Sequence, residues 1–218
     1  MSDESLFREV DEDVRQEQYK KLWDRFGSYV MAAAFLVVAG VAGLKGYQFW
    51  QVKQSQAAAD TYLAAIKQAA DGKKDDAAAG LAAIGHSGFQ QLAEFERAGL
   101  LAQSGKTDEA VAAFEAIAAN ASADQTLRDA AAIRAGYLLS DTATPDQLLP
   151  KLGVYDKDGN PWRLAAREIF AIAAYRTGDF AMADRYFNAI FADPAATTAM
   201  RQRSQAMIQL ITPKLATK

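Results

Sequence analysis

Hydrophobic and polar positions follow two different patterns along this chain. From Phe26 to Leu44, FGSYVMAAAFLVVAGVAGL, 19 consecutive residues carry no formal charge. A helix of that length rises roughly 28 Å, close to the ~30 Å hydrocarbon core of a bilayer. Trp23, Phe26 and Tyr29 flank the run on one side, and Tyr47, Phe49 and Trp50 on the other, where interfacial aromatics belong. Lys45 lies within snorkelling reach of the boundary. The pattern predicts a transmembrane helix over 26–47, anchored by Phe26, Tyr29, Val30, Phe35, Leu36, Val37, Val38, Val41 and Leu44. Beyond residue 48 the apolar positions fall at helical spacing in an Ala-rich background, broken by short turns. Before the run, ESLFREVDEDVRQEQYKKLWDR places Leu6, Val10 and Val14 on one helical face. The expected organisation is a partly helical tail at 1–25, a span at 26–47 and an all-helical domain at 48–218.

The turns of that domain carry its internal logic. Gly72, Gly105 and Gly178 each stand in a short polar connection, where glycine supplies the left-handed conformation that ends a helix. After each glycine, at offsets of five, nine and twelve, come Ala77, Leu81 and Ile84; Ala110, Phe114 and Ile117; and Ala183, Phe187 and Ile190. A helical hairpin needs a small residue where its second helix crosses the first, which suits the alanines. It needs a large one a turn later to plug the gap to the next hairpin, which suits Leu81, Phe114 and Phe187. Ala98 and Ala171, seven residues before their turn glycines, are the small residues on the first helices. The first two glycines lie 33 residues apart, and the next interval of 73 leaves room for one irregular repeat. A period near 34 is that of tetratricopeptide repeats. The expected fold is therefore all-α: an N-terminal transmembrane helix followed by a tetratricopeptide-like right-handed superhelix of helical hairpins.

The pattern loosens over 121–160. Residues 124–140 read as a helix with Leu127, Ala131, Ala135 and Leu138 on one face, and Thr144-Pro145 as a cap with proline at the first helical position. GVYDKDGNP reads as a loop, and Trp162 as the start of the next helix. A last helix over Thr198–Ile211, with Met200, Ser204, Met207 and Ile211 on one stripe, is expected to cap the stack.

Charge sets a direction for the span. Arg15, Lys20, Lys21 and Arg25 precede it, against Lys45 and Lys53 after it, so the tail is expected inside and 48–218 translocated. In a Gram-negative bacterium this is an inner-membrane protein with a periplasmic domain. The eight acids before the span are unlike the basic start of a signal peptide. Ala39, Val41 and Gly43 leave a weak cleavage-site pattern, but an uncleaved anchor is expected. A net charge of −3 provides no footprint for nucleic acid.

Catalytic chemistry finds little material. The chain has no cysteine and one histidine, His86, in a loop, so neither a thiolate site nor a Ser-His-Asp arrangement is supported. The Gly-Lys-Thr of Ser104-Gly105-Lys106-Thr107 lacks the earlier glycine of a phosphate loop. Asp156-Lys157-Asp158-Gly159-Asn160 lacks the ligand pattern of a calcium loop and reads as a turn. No cofactor or metal is expected, and an envelope hydrolase has no candidate triad. Trp162 and Arg163 suit either a partner contact or the packing of a hairpin entrance, with Arg163 paired to a nearby acid.

Several segments resemble the YfgM-like family of bacterial inner-membrane proteins: FREVDEDVRQEQYKKLWDRFG before the span, SGKTDEAVAAFEAIA, Gly159-Asn160-Pro161-Trp162-Arg163 with Glu168, and TGDFAMADRYFNAIFADP. The order of these parts carries the resemblance more than any one of them. It implies an N-in anchor, a periplasmic tetratricopeptide-like domain and no catalysis. It further implies association with the SecYEG translocon and with a membrane-anchored PpiD-type periplasmic chaperone. The function expected is a non-enzymatic scaffold linking export to chaperones through a helical-repeat groove; the alternative is a scaffold for another cell-envelope complex.

Overall fold

A computed structural model describes residues 3–85 and 87–215, with the backbone alone for 3–19 and 87. His86 and the side chains of Leu6, Val10 and Val14 therefore lie outside what is described. The described residues form nine helices and no strand: α1 Asp3–Ala70, α2 Lys74–Ala82, α3 Ser87–Gln103, α4 Thr107–Ala119, α5 Gln125–Leu139, α6 Pro145–Leu152, α7 Arg163–Thr177, α8 Phe180–Ala192 and α9 Thr198–Leu215. Packing divides the chain into two compact units, Met1–Gln56 and Ala57–Lys218.

The first unit is helical throughout its described length. Every residue from 28 to 54 is exposed, including all the apolar ones. The helix is long and apolar enough to cross a membrane, and only 6% of its most apolar window is buried. A core helix of a soluble protein with the same composition would be mostly covered. Tyr47 and Trp50 lie with ring centroids 6.2 Å apart, and the Lys53 ammonium sits 5.0 Å from the Phe49 centroid.

The second unit is a succession of hairpins. The end of α1 pairs with α2, α3 with α4, α5 with α6 and α7 with α8, and α9 closes the series. Three turns share one backbone geometry. Gly72, Gly105 and Gly178 have φ of 83°, 76° and 82°. The next N–H in each case reaches five residues back, Lys73 to Gln68 O, Lys106 to Leu101 O and Asp179 to Ala174 O, at 2.9–3.0 Å. This is the Schellman closure that a left-handed glycine permits. The α5–α6 turn has no glycine and is set from the other side. Thr144 Oγ1 accepts from the Gln147 N–H while the Thr144 N–H donates to Gln147 Oε1, a reciprocal capping box with Pro145 at the first helical position. Trp162 occupies the position just before α7 rather than inside it. α9 runs to Leu215, past the Ile211 expected from its stripe, and the Lys214 ammonium over Tyr175 and Phe180 gives the last turn a tertiary contact.

Among the described residues the core is four clusters, each built from one hairpin and the first helix of the next. Ala65, Ala77, Leu81 and Ala93 form the first, and Ala98, Phe114, Ile117 and Ala131 the second. Leu148, Leu152, Ile169 and Phe170 form the third, and Ala171, Ala183, Phe187 and Ile211 the fourth. No hairpin buries its apolar face alone, which is the physical reason such repeats come in series.

Candidate functional site

Polar bonds between hairpins repeat the sequence period in space. Lys106 Nζ meets Asp75 Oδ1 at 3.1 Å, and Gln91 Nε2 donates to Ser122 O at 3.3 Å, both across 31 residues. Tyr137 donates to Glu168 Oε2 at 2.8 Å across 31 residues, and Arg203 Nε to Glu168 Oε1 at 3.0 Å across 35. Lys151 pairs with Glu115 across 36. These contacts sort the helices into two layers, with α5, α7 and α9 joined through Glu168 in one and α4 and α6 through Lys151 in the other.

Ionisation in this network follows from its burial. Withdrawal from water and the bond to Glu168 push the Tyr137 hydroxyl well above the ordinary tyrosine range. Burial and a 2.9 Å bond to Asp129 raise Tyr155 to about 12. Tyr137, Glu168 and Arg203 thus form a closed, fully used set between α5, α7 and α9.

On the α3 side of α5 the groups are not used up. A cavity of about 270 Å³ lies between α3 and α5, with buried Phe114 and half-buried Phe95, Leu138 and Gly99 among its lining. Phe95 and Phe114 meet edge to face at 5.2 Å. Glu96 on α3 and exposed Arg134 on α5 also line it, and neither makes an ion pair or a side-chain hydrogen bond among the described residues. A second cavity, of about 310 Å³, lies over α5 between α4 and α6. Its walls are mainly small or aliphatic, and the Lys151–Glu115 pair is part of its lining.

The glycines inside these helices differ in cause. A methyl added at Gly136 would stand 2.5 Å from Leu152 Cδ1 and 3.0 Å from Ile169 Cδ1, so glycine there lets α5 meet α6 and α7 closely. At Gly80 it would meet Ala65 at 3.4 Å. At Gly99 it would meet nothing within 4 Å, and the backbone there is helical. A mid-helix glycine costs about 0.5–1 kcal/mol relative to alanine. At Gly99 neither turn geometry nor packing offsets that cost.

The residues singled out by the repeat offsets take these places. Ala77, Ala98, Ala110, Ala171 and Ala183 are fully buried, and Leu81, Phe114 and Phe187 are nearly so. The anchor residues Phe26, Tyr29, Val30, Phe35, Leu36, Val37, Val38, Val41 and Leu44 are all exposed along α1. Trp162 packs against the Leu148–Phe170 cluster. Arg163 donates through Nε and Nη2 to the two carboxylate oxygens of Asp193 at 2.8 and 2.7 Å, and those bonds hold the Asp193 carboxyl below the usual range. Asp156 and Asp158 receive Arg167 at 2.8 and 3.0 Å, so both acids of the loop that faintly matched a calcium site are paired with arginine. Sequence reasoning passed over Ala65, although it lies seven residues before Gly72, the offset already noted for Ala98 and Ala171. Gly136 carried no such signal. Among the described residues no group of three or more His, Cys, Asp or Glu is placed to hold a metal ion.

A family model described as a tetratricopeptide repeat-like domain matches residues 20–215, taking in the apolar stretch as well as the hairpins. Comparison with curated proteins and with solved structures gives no match.

Proposed function

The chain belongs to the tetratricopeptide repeat-like family, and from that premise we propose a membrane-tethered, non-enzymatic scaffold that presents a helical-repeat groove to a protein partner. Repeat domains of this kind are generally interaction scaffolds rather than catalysts. The observation that carries the reading is the pairing, in one chain, of an exposed apolar helix with a stack of hairpins whose α3–α5 cleft keeps unpaired polar groups. The basic residues before the span support a cytoplasmic tail and a periplasmic stack in a bacterial inner membrane. The family resemblance of the tail and of the Gly159–Arg163 segment supports the SecYEG translocon and a PpiD-type chaperone as partners. Tethering would work by effective concentration: partners held in one membrane meet often without tight affinity.

Topology and partnership are separately testable. The chain has no native cysteine, so single-cysteine variants report cleanly. In spheroplasts, Ser104→Cys should react with a membrane-impermeant maleimide and Lys20→Cys should not; the reverse pattern refutes the orientation. A mild-detergent pull-down of the full chain should recover translocon subunits and the chaperone. Recovery of a different envelope complex instead would favour assembly of that complex as the function.

A further inference from the structure

We infer that the cavity over α5, between α4 and α6, is a binding site for a linear alkyl chain with an uncharged hydroxyl head, of the monoacylglycerol class. The chain lies against small residues of α4 and α5, and the hydroxyl sits across the Lys151–Glu115 pair. The inference goes beyond the scaffold reading, since it concerns a small molecule and no protein partner.

The cavity has a cause in the sequence. α6 has eight residues where α4 and α8 have thirteen, so it covers α5 over a shorter length. The walls left beside it include Ala118 on α4, Ala132, Ala135 and Leu139 on α5, and Leu148 and Leu152 on α6. The space is about 310 Å³, within the ~300–1,000 Å³ of small-molecule sites. A further cavity of about 380 Å³ shares Leu139, Leu148 and Lys151 with it and adds Thr142 and Gln147. Open space therefore runs on past Lys151, apolar at one end and more polar at the other. That shape suits a chain with a head rather than a compact ring.

Charge then selects the head. Lys151 is common to both cavities, and its ammonium pairs with Glu115, which lines the first. Neither group makes a second bond among the described residues, so further N–H donors of Lys151 and one oxygen of Glu115 are unused. An anionic head would meet Glu115 and a cationic head Lys151, each a like-charge contact. A hydroxyl accepts from the ammonium and donates to the carboxylate, and so satisfies both without separating them. Gln147 Oε1 is taken by the Thr144 N–H, while the Gln147 amide nitrogen makes no bond among the described residues and supplies a donor for a second hydroxyl.

The experiment uses the full chain in glyco-diosgenin, a detergent without a linear alkyl chain, and follows isotope-labelled alanine methyls by NMR. Octanol, octanoate and octylammonium are the probes. Octanol should shift the Ala118, Ala132 and Ala135 methyl signals saturably, at a concentration roughly tenfold or more below that required by either ion. Glu115→Gln should turn the preference among the ions toward octanoate and Lys151→Gln toward octylammonium, each by roughly tenfold. Ala132→Leu fills the cavity from α5 and should abolish the octanol shifts; Ala118→Leu repeats that test from α4. The site is overturned if wild type gives no saturable shift at these methyls, responds to the three probes alike or prefers either ion. It is also overturned if octanol still binds after either leucine substitution in a folded chain. Shifts confined to Ala32, Ala33 and Ala34 would mark partition into the micelle and overturn it as well. The pull-down of translocon and chaperone judges the scaffold reading separately.

Discussion

Replacing Gly136 with alanine sets two known effects against each other at one atom. Alanine in place of a mid-helix glycine gains about 1 kcal/mol of helix stability. The added methyl, however, would stand 2.5 Å from Leu152 Cδ1 and 3.0 Å from Ile169 Cδ1. Both contacts are with side-chain ends; Ile169 is fully buried, and Leu152, 1% exposed, can turn only toward the cavity between α4 and α6 that it lines, at the expense of its packing against α7. Overpacking of this kind costs about 1–3 kcal/mol, and contact at 2.5 Å belongs to the upper part of that range. The net expectation is a loss of roughly 1–2 kcal/mol, or a melting temperature lower by roughly 2–8 °C. The assay is thermal and urea unfolding of the full chain in detergent, followed by circular dichroism. Leu152→Ala alone should cost about 2–5 kcal/mol, and less in the Gly136→Ala background, because the new methyl occupies part of the vacated space. Gly99→Ala is the internal control and should stabilise. If Gly136→Ala also raises the melting temperature, or the two substitutions at 136 and 152 add without coupling, the close α5–α6 crossing is refuted.

The remaining predictions concern caps and titrations. Thr144→Ala removes one half of the capping box and should lower stability by about 0.5–2 kcal/mol, read as a lower urea midpoint with faster amide exchange in α6. Asp193 has its carboxyl held below the usual range by Arg163, so its contribution is present above the unfolded-state value near 4 and is lost as pH falls through the folded one. Unfolding measured from pH 6 to pH 2 should show this acid limb, and Asp193→Asn should flatten it. Tyr155 and Tyr137 have raised values, so their contribution is present below about pH 10 and is lost as pH rises toward 12. Stability should therefore fall over pH 10–12, and Tyr137→Phe should reduce the slope; an unchanged slope would mean that the Glu168 network does not hold the phenol in its protonated form.

Legibility in this chain tracks the distance over which a residue's reason acts. The apolar run at 26–44 and the offsets after Gly72, Gly105 and Gly178 are local patterns, and a turn glycine with its Schellman bond involves only five residues of chain. The buried Ala77, Phe114 and Phe187 were legible because the same local unit recurs and so names its own core face. In the α5–α6 hairpin the first helix and the Thr144-Pro145 cap were legible, but the core face of α6 was not, because this hairpin closes with a capping box in place of a glycine and its short α6 breaks the offsets.

What tertiary structure decided lies across helices. Gly99 and Gly136 are both glycines inside Ala-rich helices, and nothing in their neighbours along the chain tells them apart. Only the approach of Leu152 and of Ile169 makes one a packing requirement, while open space above the other leaves a pocket. Arg163 and Arg134 are likewise two arginines on hairpin first helices, one held by Asp193 across 30 residues and the other unpaired. Sequence by itself determined the helices, their repeat and the apolar segment, since helix periodicity and turn chemistry act within a few residues. The stacking of hairpins decided which polar groups neutralise one another and which face an open cleft, because that depends on side chains some 30 residues apart meeting in space.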